Sequence, residues 1–151
     1  SKAFGLAGLR IGYAVGNPNL IEVLEELRAP FNVNRFAQTA AVAALRDLQY
    51  MRKVVRKIRI EREWLFSRLS DLGLEVFPSE SNFLMVSLEP WKITAPKICT
   101  LLAERGIFIR ELTGFRGAGE NFVRITVGKP RQNRKLVAAL KDIRRNLVGA
   151  S

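Results

Sequence analysis

Histidine is absent from this sequence, and cysteine occurs once, at Cys99. Without histidine the usual zinc and non-haem iron ligand sets are missing, so metal catalysis and Ser-His-Asp chemistry are poor candidates; a single thiol forms no intramolecular disulfide. No metal site is expected. No run approaches about eighteen uninterrupted apolar residues, and the N-terminal stretch lacks a basic segment followed by an apolar run and a small-residue cleavage site. The expectation is a soluble, cytoplasmic protein with no membrane partner. Acidic residues are also few, 14 against 25 Lys and Arg, which leaves a formal charge of +11.

What is present is apolar content: 48% of 151 residues, enough for one domain or for a small domain with pieces of a neighbour. The positive charge is concentrated. Seven basic and two acidic residues stand between Arg52 and Arg68, and seven basic and one acidic between Lys129 and Arg145. Such charge is compatible with nucleic acid, an anionic surface or phosphorylated ligands. Both segments read as helices, and a solvated helix face accounts for them most simply, so no nucleic-acid partner is expected.

Along the chain, residues 11–15 form a short apolar run between Gly12 and Gly16 that reads as a strand. Asn17-Pro18 then opens a helix carrying Leu20, Ile21, Leu24 and Leu27, which Pro30 ends. An Ala-rich helix is expected over 36–48, and a long amphipathic helix over 49–72 with Gly73 stopping it. Strands are expected at 74–77 and 83–88, a helix at 95–105 capped by Gly106, strands at 107–110 and 122–127, and a final helix from Pro130. On that helix Leu136, Val137, Leu140, Ile143 and Leu147 make the buried face.

This order predicts the α/β class, with residues 74–151 forming an α+β small domain whose mixed sheet is covered by helices. Residues 1–48 offer too little for a core of their own and read as the remainder of a larger domain, with 49–73 a connecting helix. Cys99, Trp64 and Trp91 read as packing residues.

The most informative stretch is Ser1-Lys2-Ala3-Phe4-Gly5-Leu6-Ala7-Gly8-Leu9-Arg10-Ile11-Gly12-Tyr13. It resembles the cofactor-bearing lysine motif of class I and II aminotransferases, fold type I enzymes that depend on pyridoxal phosphate. The resemblance implies that Lys2 is the catalytic lysine that carries the cofactor, and that Arg10 and Ser1 bind the cofactor phosphate. The chemistry is suited to the residue types: an amine is a carbonyl-binding nucleophile and, once free, a proton carrier, and a guanidinium offers a fixed fork of donors to a dianion. For an isolated pair, a solvated terminal lysine and a strand-edge arginine would be the simpler reading.

A second resemblance lies at Phe122-Val123-Arg124-Ile125-Thr126-Val127-Gly128, and its wording is similar to histidinol-phosphate aminotransferases. It implies that Arg124, with Arg110 of Gly106-Ile107-Phe108-Ile109-Arg110, holds the phosphate of the substrate. Arg110 reads equally as a solvated strand end. Burial of Arg124 without a function would be costly. Phe31-Asn32-Val33-Asn34 and Ser81-Asn82-Phe83 also resemble family segments, although Asn is equally a turn or capping residue. Gly114-Phe115-Arg116-Gly117-Ala118-Gly119 lacks Gly-Lys-Ser/Thr and precedes a strand, so it reads as a connecting loop with Arg116 at its tip.

The resemblance covers essentially the whole chain and implies the C-terminal part of a homodimeric enzyme of histidine biosynthesis, transferring an amino group from a phosphorylated donor to a 2-oxo acid such as 2-oxoglutarate. The family's complete chain is longer and supplies the aspartate for the pyridine nitrogen and a ring-stacking aromatic upstream. The 151 residues alone are therefore expected to be inactive, with little or no cofactor affinity. The alternatives that stay open are an enzyme like threonine-phosphate decarboxylase, a basic anion- or nucleic-acid-binding module without catalysis, and a purely structural or interaction module.

Overall fold

A computed structural model of the chain describes residues 1–149. They divide into two compact units, residues 1–55 and 56–149, the division falling inside a helix.

The first unit contains α1 (Pro18–Leu27), α2 (Arg35–Arg46) and the start of α3 (Leu48–Asp71). Asn residues begin the first two helices: the Asn17 side chain accepts from the amide of Asn19, and that of Asn34 from the amide of Ala37, each satisfying an orphan donor of the first turn. Only Ala37 on α2 is buried, and Leu20, Val23, Leu24 and Leu27 of α1 are all at least half exposed. The expected strand at 11–15 does not form. A strand exists only through its ladder bonds, and among the described residues of this unit nothing supplies a partner; Tyr13 and Val15 stand exposed.

The second unit holds the core. Its strands are β1 (Glu75–Val76), β2 (Phe83–Ser87), β3 (Arg110–Glu111) and β4 (Phe122–Thr126), and its helices are the rest of α3, α4 (Ala95–Ala103) and α5 (Pro130–Gly149). The sheet order is β1-β2-β4-β3, and every pairing is antiparallel. The expected mixed sheet is thus corrected. β2 and β3 do run the same way, but the chain leaving β2 through α4 reaches the far edge, and β4 returns between them.

Leu84, Val86, Val123 and Ile125 alternate onto one sheet face and form a single cluster with Leu65 and Leu69 of α3, Ile98 and Leu102 of α4, and Leu136, Leu140 and Ile143 of α5. Leu147 is only half-buried, and Trp64, Trp91 and Cys99 pack at the margin. α3 and α5 run alongside each other in the same direction: Asn133 donates to Glu61 at 2.8 Å, and Trp64 lies 5.9 Å from the guanidinium carbons of both Arg68 and Arg134.

Two helices leave by the same device. Gly73 and Gly106 adopt left-handed φ of +77° and +66°; their amides bond to Ser70 and Ala103, and the next amides reach back to Leu69 and Leu102. Because the Ile107 amide is committed to that helix exit, the expected strand at 107–110 is shortened, and β3 begins only at Arg110.

Candidate active site

In the first unit the chain from Ser1 to Ile11 folds back on itself. Gly5 turns onto the carbonyl of Lys2 at 3.1 Å, a short 3-10 turn spans Ala7–Leu9, and the Ser1 hydroxyl donates to the carbonyl of Ile11 at 3.5 Å. Arg10 ends the turn at φ +53°, a left-handed conformation unfavourable for a residue with a Cβ, and its guanidinium donates to the Ala7 carbonyl at 2.9 Å. One small loop therefore presents a hydroxyl, an amine and a guanidinium. All three residues are exposed, and among the described residues neither Lys2 nor Arg10 has a carboxylate partner. Behind the loop is an apolar cavity of about 420 Å³ walled by Phe4, Leu6, Ile11 and Tyr13 with Ala41, Ala44 and Leu45; Lys2 and Arg10 do not line it.

In the second unit Arg110 and Arg124 are direct cross-strand partners of β3 and β4, and Met85 of β2 is the partner of Arg124 on its other side. Opposite residues share a face, with Cβ atoms roughly 4.5–5.5 Å apart. Since Val123 and Ile125 take the core face, both arginines stand on the face turned away from the helices. Phe83, Met85 and Phe122 are half-buried on that face, which the register makes them share with Ser87, Thr126 and Glu75; Phe77 meets Phe122 at 6.0 Å between ring centroids, and the guanidinium carbon of Arg124 lies 5.3 Å from the Phe83 centroid. No carboxylate pairs with either arginine among the described residues. Like charges placed opposite each other repel; Arg124 is half-buried and Arg110 exposed.

The other residues of interest have local occupations. Asn34 caps α2, the Asn32 side chain accepts from Arg28 at 3.5 Å, the Asn82 carbonyl accepts from the Val127 amide at 2.9 Å, and Arg116 lies exposed in the loop before β4. The Cys99 thiol is half-buried, 3.9 Å from the Ile109 carbonyl, and burial, followed by the charge of Glu111, pushes its pKa up. Sequence reasoning missed the phenylalanines around Arg124; period-two alternation from Phe122 and from Phe83 was the signal for them. It also missed Arg62, whose buried guanidinium donates to the Ser81 carbonyl and the Glu80 carboxylate, both at 3.0 Å, and so fixes the segment leading into β2.

The family model of aminotransferase class I and II matches residues 1–140. Histidinol-phosphate aminotransferase of Methanocaldococcus jannaschii is 36% identical over 144 residues, covering 95% of this chain and 38% of its own length. The crystal structure of the histidinol-phosphate aminotransferase from Clostridium acetobutylicum superimposes with a TM-score of 0.85 at 30% identity, over 95% of this chain and 43% of that one. That of the Sinorhizobium meliloti enzyme, in complex with pyridoxal-5'-phosphate, gives 0.80 at 34% identity over 97% of this chain and 40% of that one. This chain thus spans about two-fifths of the length of these relatives, and it belongs to the class I and II aminotransferases, a family that uses pyridoxal phosphate.

Proposed function

We propose that the chain is the C-terminal part of an enzyme that transfers the amino group of histidinol phosphate to 2-oxoglutarate in histidine biosynthesis. The observation that carries this reading is the facing pair Arg110 and Arg124, two guanidinium groups that have no carboxylate partner among the described residues, with the Phe83 ring beside Arg124. Two planar forks on neighbouring strands give a phosphate several charge-assisted hydrogen bonds, whereas one carboxylate would leave the second charge uncompensated. The named relatives favour the same donor.

The first unit fits the cofactor by the chemistry of its groups: an exposed amine able to take an aldehyde, and a hydroxyl and guanidinium on the same loop for a phosphate dianion. When bound, pyridoxal phosphate supplies a ring that accepts the electron pair left as the donor's α-proton departs. Ser1 and Arg10 hold its phosphate. Lys2 Nζ would carry it and, once displaced by the donor amine, would take the proton from the donor's Cα and deliver it to the cofactor's former aldehyde carbon. Arg110 and Arg124 hold the donor's own phosphate. In this reading residues 1–48 belong to the large cofactor-binding domain, 49–73 to a connecting helix and 74–151 to the C-terminal small domain of a cytoplasmic homodimer. The 151 residues alone bind cofactor weakly and do not turn over.

The test is made in the full-length protein. Lys2→Ala is expected to abolish multiple-turnover transamination while the thermal midpoint is retained. Retained turnover would remove Lys2 from the chemistry. Release of carbon dioxide from a phosphorylated amino acid, with no amino group arriving in the 2-oxo acid, would replace the aminotransferase by a related decarboxylase.

A further inference from the structure

We infer that Phe83 is a positioning residue for anion recognition: its ring holds the Arg124 guanidinium in place without neutralising it. The inference rests on the reading of Arg124 as a ligand of the donor's phosphate. Arg124 is half-buried, yet among the described residues its side chain forms no ion pair and no hydrogen bond; the contact recorded for it is the Phe83 ring, 5.3 Å from the guanidinium carbon. Met85, opposite it on β2, offers no acceptor oxygen, and Arg110, opposite it on β3, repels it.

A flexible guanidinium in that situation has every reason to swing away from its neighbour. A carboxylate would stop this, but it would also take the charge and the N–H donors that an incoming anion needs. An aromatic face restrains the group through the ring quadrupole and leaves the in-plane donors available. The ladder explains why Phe83 serves: Phe83 pairs with Thr126 and Met85 with Arg124, so the ring is the diagonal neighbour of Arg124 on the same face, within reach of an aromatic side chain.

The experiment compares full-length wild type, Phe83→Leu and Phe83→Tyr with two donors, histidinol phosphate and unphosphorylated histidinol. Phe83→Leu is expected to raise KM for histidinol phosphate about tenfold, with kcat within about twofold of wild type and KM for histidinol unchanged. Phe83→Tyr, which keeps the ring, restores the wild-type KM. A general packing defect would move both donors together and would not be rescued selectively, and Phe83→Met repeats the comparison with a different apolar side chain. Unchanged KM for histidinol phosphate in Phe83→Leu and Phe83→Met, or an equal rise for both donors, overturns the inference. Arg124→Lys in parallel separates the two claims: if it raises KM for histidinol phosphate while the Phe83 variants do not, only the positioning role fails. If it leaves that KM unchanged, the phosphate-binding reading fails and takes the positioning role with it.

Discussion

Like charges facing each other across a β-ladder repel, and Arg110 and Arg124 are such a pair. Opposite effects on binding and on stability are expected. Arg110→Gln should raise the thermal midpoint slightly at low salt, because the repulsion is gone, while raising KM for histidinol phosphate about tenfold or more through the lost charge-assisted bonds. A falling midpoint with unchanged KM would make Arg110 an ordinary solvated strand end. Cys99 offers a separate check. Burial holds its pKa above the ordinary thiol value, so the folded chain should alkylate more slowly than the denatured chain at pH 8. The folded state binds this proton more tightly than the unfolded state, so the associated stability is present below the ordinary thiol pKa and is lost as pH rises through the raised value. Equal labelling rates in the two states would show the thiol to be freely solvated.

At the scale of elements, Gly73 and Gly106 each close a helix in a left-handed conformation, and either Gly→Ala change should cost about 1 kcal/mol or more in urea unfolding. Asn133 does more. It is buried at the start of α5, its amide donates to Glu61 on α3 and to the Gly128 carbonyl, and its oxygen accepts from the Gly128 amide. Asn133→Ala strands these groups and is expected to destabilise by about 2–3 kcal/mol; a loss near zero would mean that water replaces the side chain freely. These elements differ in how far the sequence discloses them. The glycine exits, the Asn caps and the period of α3 and α5 are local signals and could be read directly. The strand at 11–15 and the early part of 107–110 could not, since a strand depends on partners distant in sequence. The facing of Arg110 and Arg124 is of the same kind. The connection between β3 and β4 is too long for turn rules to set the register, so the motif resemblance named both arginines but only the ladder makes them neighbours. Phe83, Trp64 between two arginines, and Asn133 escaped for that reason too.

At the scale of the whole molecule, the buried cluster lies in the second unit, whereas the first buries Ala37 alone among its described residues and exposes the apolar stripe of α1 together with Phe31 and Phe36. Limited proteolysis of the 151-residue chain should therefore cut first within residues 1–55 and leave a resistant product containing 74–149. The exposed apolar surface should also drive concentration-dependent self-association in sedimentation. Cleavage spread evenly along the chain would contradict this division of stability. Recognition of a phosphorylated donor is tested most directly by the kcat/KM of the full-length protein with histidinol phosphate, unphosphorylated histidinol and an aromatic amino acid. The expected result is a preference for the phosphorylated donor of about a hundredfold, collapsing when Arg110 and Arg124 are replaced. Equal or better use of the aromatic amino acid would leave Lys2 and Arg10 in place but reduce the two arginines to a general carboxylate site.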